Sequence, residues 1–330
     1  MWTRLLSAAA NLNVFASYLA QVLLAAGSGA VRSGVILGVL AVITVINLVG
    51  VKQASWAIDV FTVAKLLPLG LLVLFGLPHF SMEVVATQTV AQPQWTQAVL
   101  LLIFAFGGFE APLMSVGEAK DARRDSAFAL LVALAVIATV YVSVQAVTIG
   151  LVPDLQKEKA PIAAAFSVLW GPLGVMFASL AAMVSVWGWA TGNGLQSPRL
   201  LYSMAERGEL PAVLASVHPT FRTPHVSIIG FSVVAGVLAV AGTFEWNAVL
   251  SAIVRLIVYA MVCVSLWVFR RTRGPAQFKV PFALPVSLVA IGFCLYMLST
   301  RSFAQAGLIL SAMLVGHILM LLVRPRTKIE

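Results

Sequence analysis

Phe104-Ala105-Phe106-Gly107-Gly108-Phe109-Glu110-Ala111-Pro112 is the stretch on which the reading of the whole chain turns. It lies in the middle of an apolar segment of membrane-spanning length, 95–115. Glycine costs about 1 kcal/mol in a helix interior and proline about 3 kcal/mol. A glutamate at membrane depth is costlier still unless it faces protein or water. A plain lipid-facing helix would carry none of the three. The economical reading is a discontinuous helix, unwound near Ala105 to Gly108, whose freed carbonyls and amides line a polar cavity. The alternative is a continuous helix that uses Gly107 and Gly108 for close packing and hydrogen-bonds Glu110 to a neighbour.

The surrounding composition fits a membrane. Hydrophobic residues make up 61% of the chain and charged residues 10%, with a mean hydropathy of +0.99. A soluble domain carries roughly 25% charged residues, so the sequence is that of an all-α integral membrane protein whose first partner is the lipid bilayer. The net charge of +9 raises the question of nucleic acid, but that would need a basic stripe on one folded surface. Here the basic residues are scattered between apolar runs, as in membrane loops, and no nucleic-acid partner is expected. Cys263 and Cys294 both fall inside apolar segments and suit neither a disulfide framework nor a metal site. The first segment carries Asn11, Asn13, Ser17, Tyr18 and Gln21 and is too polar and too long for a signal peptide.

Ten candidate spans follow from the need for about 20 mainly apolar residues: 5–26, 34–51, 57–77, 95–115, 127–151, 163–193, 225–242, 247–269, 282–299 and 305–323. The connectors 76–94 and 194–224 are long enough to hold short surface helices, and no separate soluble domain is visible. Alternating sides collect 15 and 4 of the 21 lysines and arginines, with Lys65 and Arg255 inside spans. By the positive-inside rule both termini are expected to be cytoplasmic. There is no GxxxxGK[ST], no HExxH and no Ser/His/Asp set with interpretable spacing. No catalytic residue, cofactor or metal is expected. His79, His218, His225 and His317 are far apart and read as ordinary loop or packing histidines.

Four stretches carry a resemblance to permeases of the amino acid-polyamine-organocation superfamily. Phe104 to Glu110, followed by Gly117-Glu118-Ala119-Lys120-Asp121-Ala122-Arg123-Arg124, is similar to the family's sixth helix and its cytoplasmic E-x-K-N-P-x-R loop, with Asp121 and Ala122 in place of Asn and Pro. Asn47 to Lys52 resembles the end of helix four, and Ser197 to Pro211 the loop after helix eight. Arg255-Leu256-Ile257-Val258-Tyr259 resembles part of helix ten. The resemblance implies a LeuT-like fold of two inverted five-helix repeats, with 1–77 as the remainder of the first repeat, 95–269 as the second and 282–323 as a final pair. Members have twelve helices, and the broken helix opens the second repeat. Here it is the fourth span, so the first two helices are expected to be missing.

The resemblance also assigns roles. The carbonyls of Phe104, Ala105 and Gly107 would hold a substrate ammonium. Phe104, Phe106 and Phe109 would cover its side chain, with Gly108 supplying the break. Glu110 would tune ammonium affinity or shuttle a proton, or else brace the unwound segment, since burial raises a carboxyl pKa. Lys65, some eight residues into the third span, corresponds to a lysine that proton-coupled members carry on helix five; the alternative is snorkelling to the interface. Glu118, Lys120, Arg123 and Arg124 would form an inner gate of salt bridges, or a solvated loop that fixes topology. Arg255 is expected to brace helices rather than touch substrate. Trp187, Gly188, Trp189, Thr191 and Asn193 would line the path or belong to an interfacial belt. The implied function is secondary active transport of an amino acid or related amine, proton-coupled or exchanging. A non-transporting remnant and a membrane enzyme are the competing readings, and a channel is disfavoured because no filter motif is visible.

Overall fold

Small residues in the first apolar segment set the architecture. The computed structural model describes residues 1–50, 55–88, 92–109, 122–272 and 282–302, with 305, 307, 310, 311, 314 and 316–318, and the side chains of all of these except 55–59 and 122–127. Among the described residues the chain is helical and has no strand. In chain order the helices are α1 (Trp2–Val22), α2 (Gly29–Val49), α3 (Ser55–Gly76), α4 (Met82–Thr87), α5 (Trp95–Ala105), α6 (Ala122–Leu151), α7 (Pro161–Glu206), α8 (His225–Ala241), α9 (Phe244–Thr272) and α10 (Ala283–Ser299). Six of them, α1, α2, α3, α6, α7 and α9, are long and apolar enough to cross a membrane.

The hub is α1. It packs against α7, α9, α8 and α2 and contributes to every buried apolar cluster: Leu6 with α5, α9 and α10, Tyr18 with α3, α6 and α7, and Leu12 and Leu5 with α2 and α8. Ala9, Ala10 and Ala16 are fully buried, and such small side chains let helix backbones approach closely where lipid provides no hydrophobic drive. Its polar residues are satisfied across the contacts. Ser7 and Ser251 share a hydroxyl–hydroxyl bond of 3.0 Å, and Ser251 Oγ donates to the Thr3 carbonyl at 3.2 Å. The Asn13 amide donates to the carbonyls of Ala9 (2.9 Å) and Ala239 (3.0 Å), while its Oδ1 accepts from Arg32. One buried asparagine therefore ties α1 to α8 and to α2.

One sequence boundary needs correction. The connector 194–224 does not begin at Gly194, because α7 continues through Ser197-Pro198 to Glu206, so the stretch matched to the loop after helix eight is mostly helix. Gly171 takes φ +60° ahead of Pro172 and bends α7 there. The segment 172–206 is then about 50 Å long at 1.5 Å per residue, beyond the roughly 30 Å of bilayer hydrocarbon. Its polar end is a helix that outruns the membrane. Within 95–115, α5 stops at Ala105, where the sequence places the break, and 110–115 lie outside the described residues. The connector 76–94 does hold short helices, a 3-10 turn at Leu77–His79 and α4.

Candidate functional site: the end of α5

α5 is apolar and ends at the glycine pair. Its start is tied to α9 by Gln97, whose amide donates to the Glu245 carboxylate, and Leu100 is fully buried in the cluster with Leu250 and Leu256. Beyond Ala105 the backbone turns over Phe106 to Phe109. The Phe106 N–H donates to the Leu102 carbonyl at 2.8 Å, and the Gly107 N–H reaches back to Phe104 at 3.1 Å. That shorter-range bond tightens the last turn as helix ends do. Gly108 then takes φ +113°, a conformation that glycine adopts without a Cβ penalty.

Three aromatic pairs fix the turn. Phe104 meets Phe244 edge-on at 6.0 Å between ring centroids, Phe106 meets Tyr141 edge-on at 5.2 Å, and Phe109 lies over Tyr259 at 5.8 Å. Tyr141, from α6, also donates its hydroxyl to the Ala105 carbonyl at 3.2 Å. Two of the three carbonyls expected to face an ammonium, those of Phe104 and Ala105, thus already accept one bond each. A carbonyl has a second lone pair, so each can accept another.

The deepest neighbour of the turn is Arg255. This α9 residue is 6% exposed, and its guanidinium lies so close to Gly107 that a Cβ there would overlap it. Gly107 is small to make room for a cation, whereas Gly108 is glycine for its backbone angle. Among the described residues, a Cβ on Gly108 would meet nothing within 4 Å. Arg255 closes the turn on its Gly107 side.

The other expected residues fall elsewhere. Lys65 is exposed along α3, which packs against α6 and α7. Glu110, Glu118 and Lys120 lie outside the described residues, as do the side chains of Arg123 and Arg124, whose backbone opens α6. Thr191 donates its hydroxyl to the Trp187 carbonyl one turn back within α7 (2.8 Å), and Gly188 accommodates the ring of Phe61. Asn193 accepts from Ser197 at 2.9 Å and reaches the Arg4 carbonyl at 3.5 Å, bracing α7 on α1. Asn193 also borders a cavity of about 20 Å³ with Asn47, Leu12 and Ser232, room for a single water. Among the described residues no group of three or more metal-binding side chains comes together.

Sequence reasoning missed Tyr141. Tyr141 was findable: a phenol inside an apolar helix needs an acceptor for its hydroxyl, and a helix end nearby offers free carbonyls.

A set of membrane-length apolar helices around one small-residue helix, with another helix ended at a glycine pair, defines a multi-pass membrane protein. The chain belongs to the amino acid permease family, whose model, described as "Amino acid permease", matches residues 2–323. It is similar to the serine/threonine exchanger SteT of Bacillus subtilis (strain 168), 26% identical over 80% of this chain and 63% of that protein. It is also similar to the methylthioribose transporter of the same organism, at 24% over 78% and 57% respectively. The branched-chain amino acid permease BcaP, also from that organism, is 26% identical over 67% of this chain and 49% of its own length. The chain spans about half to three fifths of the length of these curated relatives. The family and these relatives are transporters, so the membrane-enzyme reading falls away.

Proposed function

We propose that the chain carries the substrate-binding half of a secondary transporter for amino acids, acting by alternating access around the turn that ends α5. The observation that carries this reading is the turn itself, where the backbone leaves the α-helical ladder after Phe106. Backbone groups outside the ladder are tolerated at membrane depth where they line a cavity, and a guest with both an ammonium and a carboxylate needs partners of both kinds. Phe104, Phe106 and Phe109 then serve as the apolar cover. The family and the relatives named for serine/threonine exchange and branched-chain amino acids support an amino acid as the cargo.

On this reading 1–77 and 95–269 belong to two inverted repeats with 282–323 as a final pair, both termini face the cytoplasm, and the site is in the plasma membrane. Lys65 is the proton-coupling candidate alongside Glu110, and Glu118, Lys120, Arg123 and Arg124 form the inner gate. The test is uptake of labelled amino acids into proteoliposomes holding the purified chain, with and without unlabelled amino acid inside and with and without a proton gradient. Stimulation by internal amino acid supports exchange, and stimulation by the gradient supports proton coupling. No uptake under any of these conditions, from protein that remains folded, counts against the reading and favours a non-transporting remnant.

A further inference from the structure

Where α1, α2, α7 and α8 meet, the bundle leaves a cavity of about 20 Å³. Ala8, Leu12 and Phe231 give it an apolar lining, but three helices each add one polar side chain: Asn47 from α2, Asn193 from α7 and Ser232 from α8. Asn47 is 5% exposed and is seated on Gly194, where a Cβ would fall 2.6 Å from its Nδ2. That Nδ2 donates to the Ile43 carbonyl at 2.9 Å, and Oδ1 accepts from no donor among the described residues. Asn193 accepts from Ser197 and offers one amide hydrogen to the Arg4 carbonyl, which leaves it a second amide hydrogen to donate. Thr44 Oγ1 lies 2.7 Å from the Leu40 carbonyl and 2.8 Å from Ser232 Oγ. Thr44 has a single hydroxyl hydrogen and a carbonyl only accepts, so the Ser232 hydrogen serves the second contact and its oxygen remains free to accept.

We infer that this cavity is a binding site for one water molecule, which joins α2, α7 and α8 through Asn47, Asn193 and Ser232. The three side chains supply two acceptors and one donor, the complement of a water that donates twice and accepts once. Buried waters typically make about three such bonds, and a cavity of roughly 10–15 Å³ is enough to hold one. A cation would call for acceptors alone and an anion for donors alone. Among the described residues that line the cavity none is charged, so an ion there would be uncompensated. An apolar guest would leave the buried Asn47 oxygen without a partner, which is costly. The water completes a polar link from Asn47 through Asn193 to Ser197, tying α2 and α8 to the polar end of α7. This strut is separate from the α5 turn and does not depend on what the chain transports.

The experiment is X-ray radiolysis of the full chain in nanodiscs, in which bound water yields hydroxyl radicals that oxidise the side chains beside it. Phe231 and Leu12 border the site and are 4% and 2% exposed, while Phe166 and Leu100 are controls of the same residue types, 0% exposed and away from it. Oxidation of Phe231 and Leu12 is expected to exceed that of Phe166 and Leu100 by about threefold or more, because a bound water lies against the first pair only. Ala190 also lines the cavity, and Ala190→Val, which fills it with methyl groups, is expected to bring Phe231 and Leu12 to the level of the controls. Ser232→Ala removes one acceptor and leaves Thr44 bonded to Leu40; labelling of Phe231 is expected to fall about twofold or more as the water loses one of its three partners. An unfolded variant would gain label at Phe166 and Leu100 as well, so it does not imitate a loss at Phe231. Wild-type labelling of Phe231 and Leu12 no higher than that of Phe166 and Leu100, or labelling unchanged in Ala190→Val, overturns the water site. Labelling unchanged in Ser232→Ala overturns the three-helix bridge.

Discussion

Gly107→Ala is the most informative single change, because its effect is expected to come from a neighbour rather than from the backbone. Gly107 does not have a positive φ, so alanine is tolerated by the local chain. The added methyl would overlap the Arg255 guanidinium. Overpacking of this kind typically costs about 1–3 kcal/mol, and the upper half of that range applies where a buried charge has to move. The prediction is a loss of about 2 kcal/mol that depends on Arg255. Reversible unfolding in mixed micelles can measure it for Gly107→Ala, Arg255→Gln and the pair. The double variant is expected to be more stable than the sum of the singles by about 1 kcal/mol, since residues in contact couple on that scale. Gly108→Ala is the control: its Cβ meets none of the described residues but requires φ +113°, so its cost of about 1–3 kcal/mol should not depend on Arg255. Additivity of Gly107→Ala with Arg255→Gln to within about 0.5 kcal/mol would refute the contact.

Other outcomes follow from single bonds. Tyr141→Phe removes the hydroxyl from the Ala105 carbonyl but retains the ring against Phe106; a destabilisation of about 1 kcal/mol is expected, together with faster amide exchange at Phe106 to Phe109. Asn13→Ala releases the Ala239 carbonyl and the Arg32 contact, and unfolding should show a loss of about 2 kcal/mol, because a buried acceptor loses its partner. The Asp154 carboxylate accepts a hydrogen bond from Lys157 at 2.8 Å and raises the lysine pKa above its usual value. A raised lysine contributes whatever stability it has at neutral pH and loses it only as pH rises past that elevated value. Both side chains are largely exposed, so Asp154→Asn is expected to leave the neutral-pH unfolding midpoint unchanged within error.

The sequence made the spans legible because hydropathy alone selects membrane-length apolar runs, and α2, α3, α6 and α9 fall where those runs lie. The glycine pair marked the end of α5 for the same local reason, since a helix penalises Gly107 and Gly108 wherever they occur. The role of α1 was not legible. Ala9, Ala10, Ala16 and Asn13 read as a weakly apolar first span, and only the fold turns them into the close-packed seam that all four clusters share. The course of α7 was misread because Gly192, Gly194 and Pro198 carry loop propensities that packing against α1 and the turn at Ala212–Ala215 overrides. The site was half legible. The phenylalanines and the glycines announced themselves, but the seat of Arg255 on Gly107 joins two residues distant in sequence, and no local pattern marks such a contact.

Amide hydrogen exchange across Phe104 to Phe109, measured on the chain in nanodiscs with and without saturating leucine, tests the central claim most directly. If peptide groups at the end of α5 bind the substrate, exchange there slows on addition of leucine, while the Asn13 region of α1 is unchanged. Leucine binding with no change at Phe104 to Phe109, or with protection confined to another part of the bundle, would contradict the account.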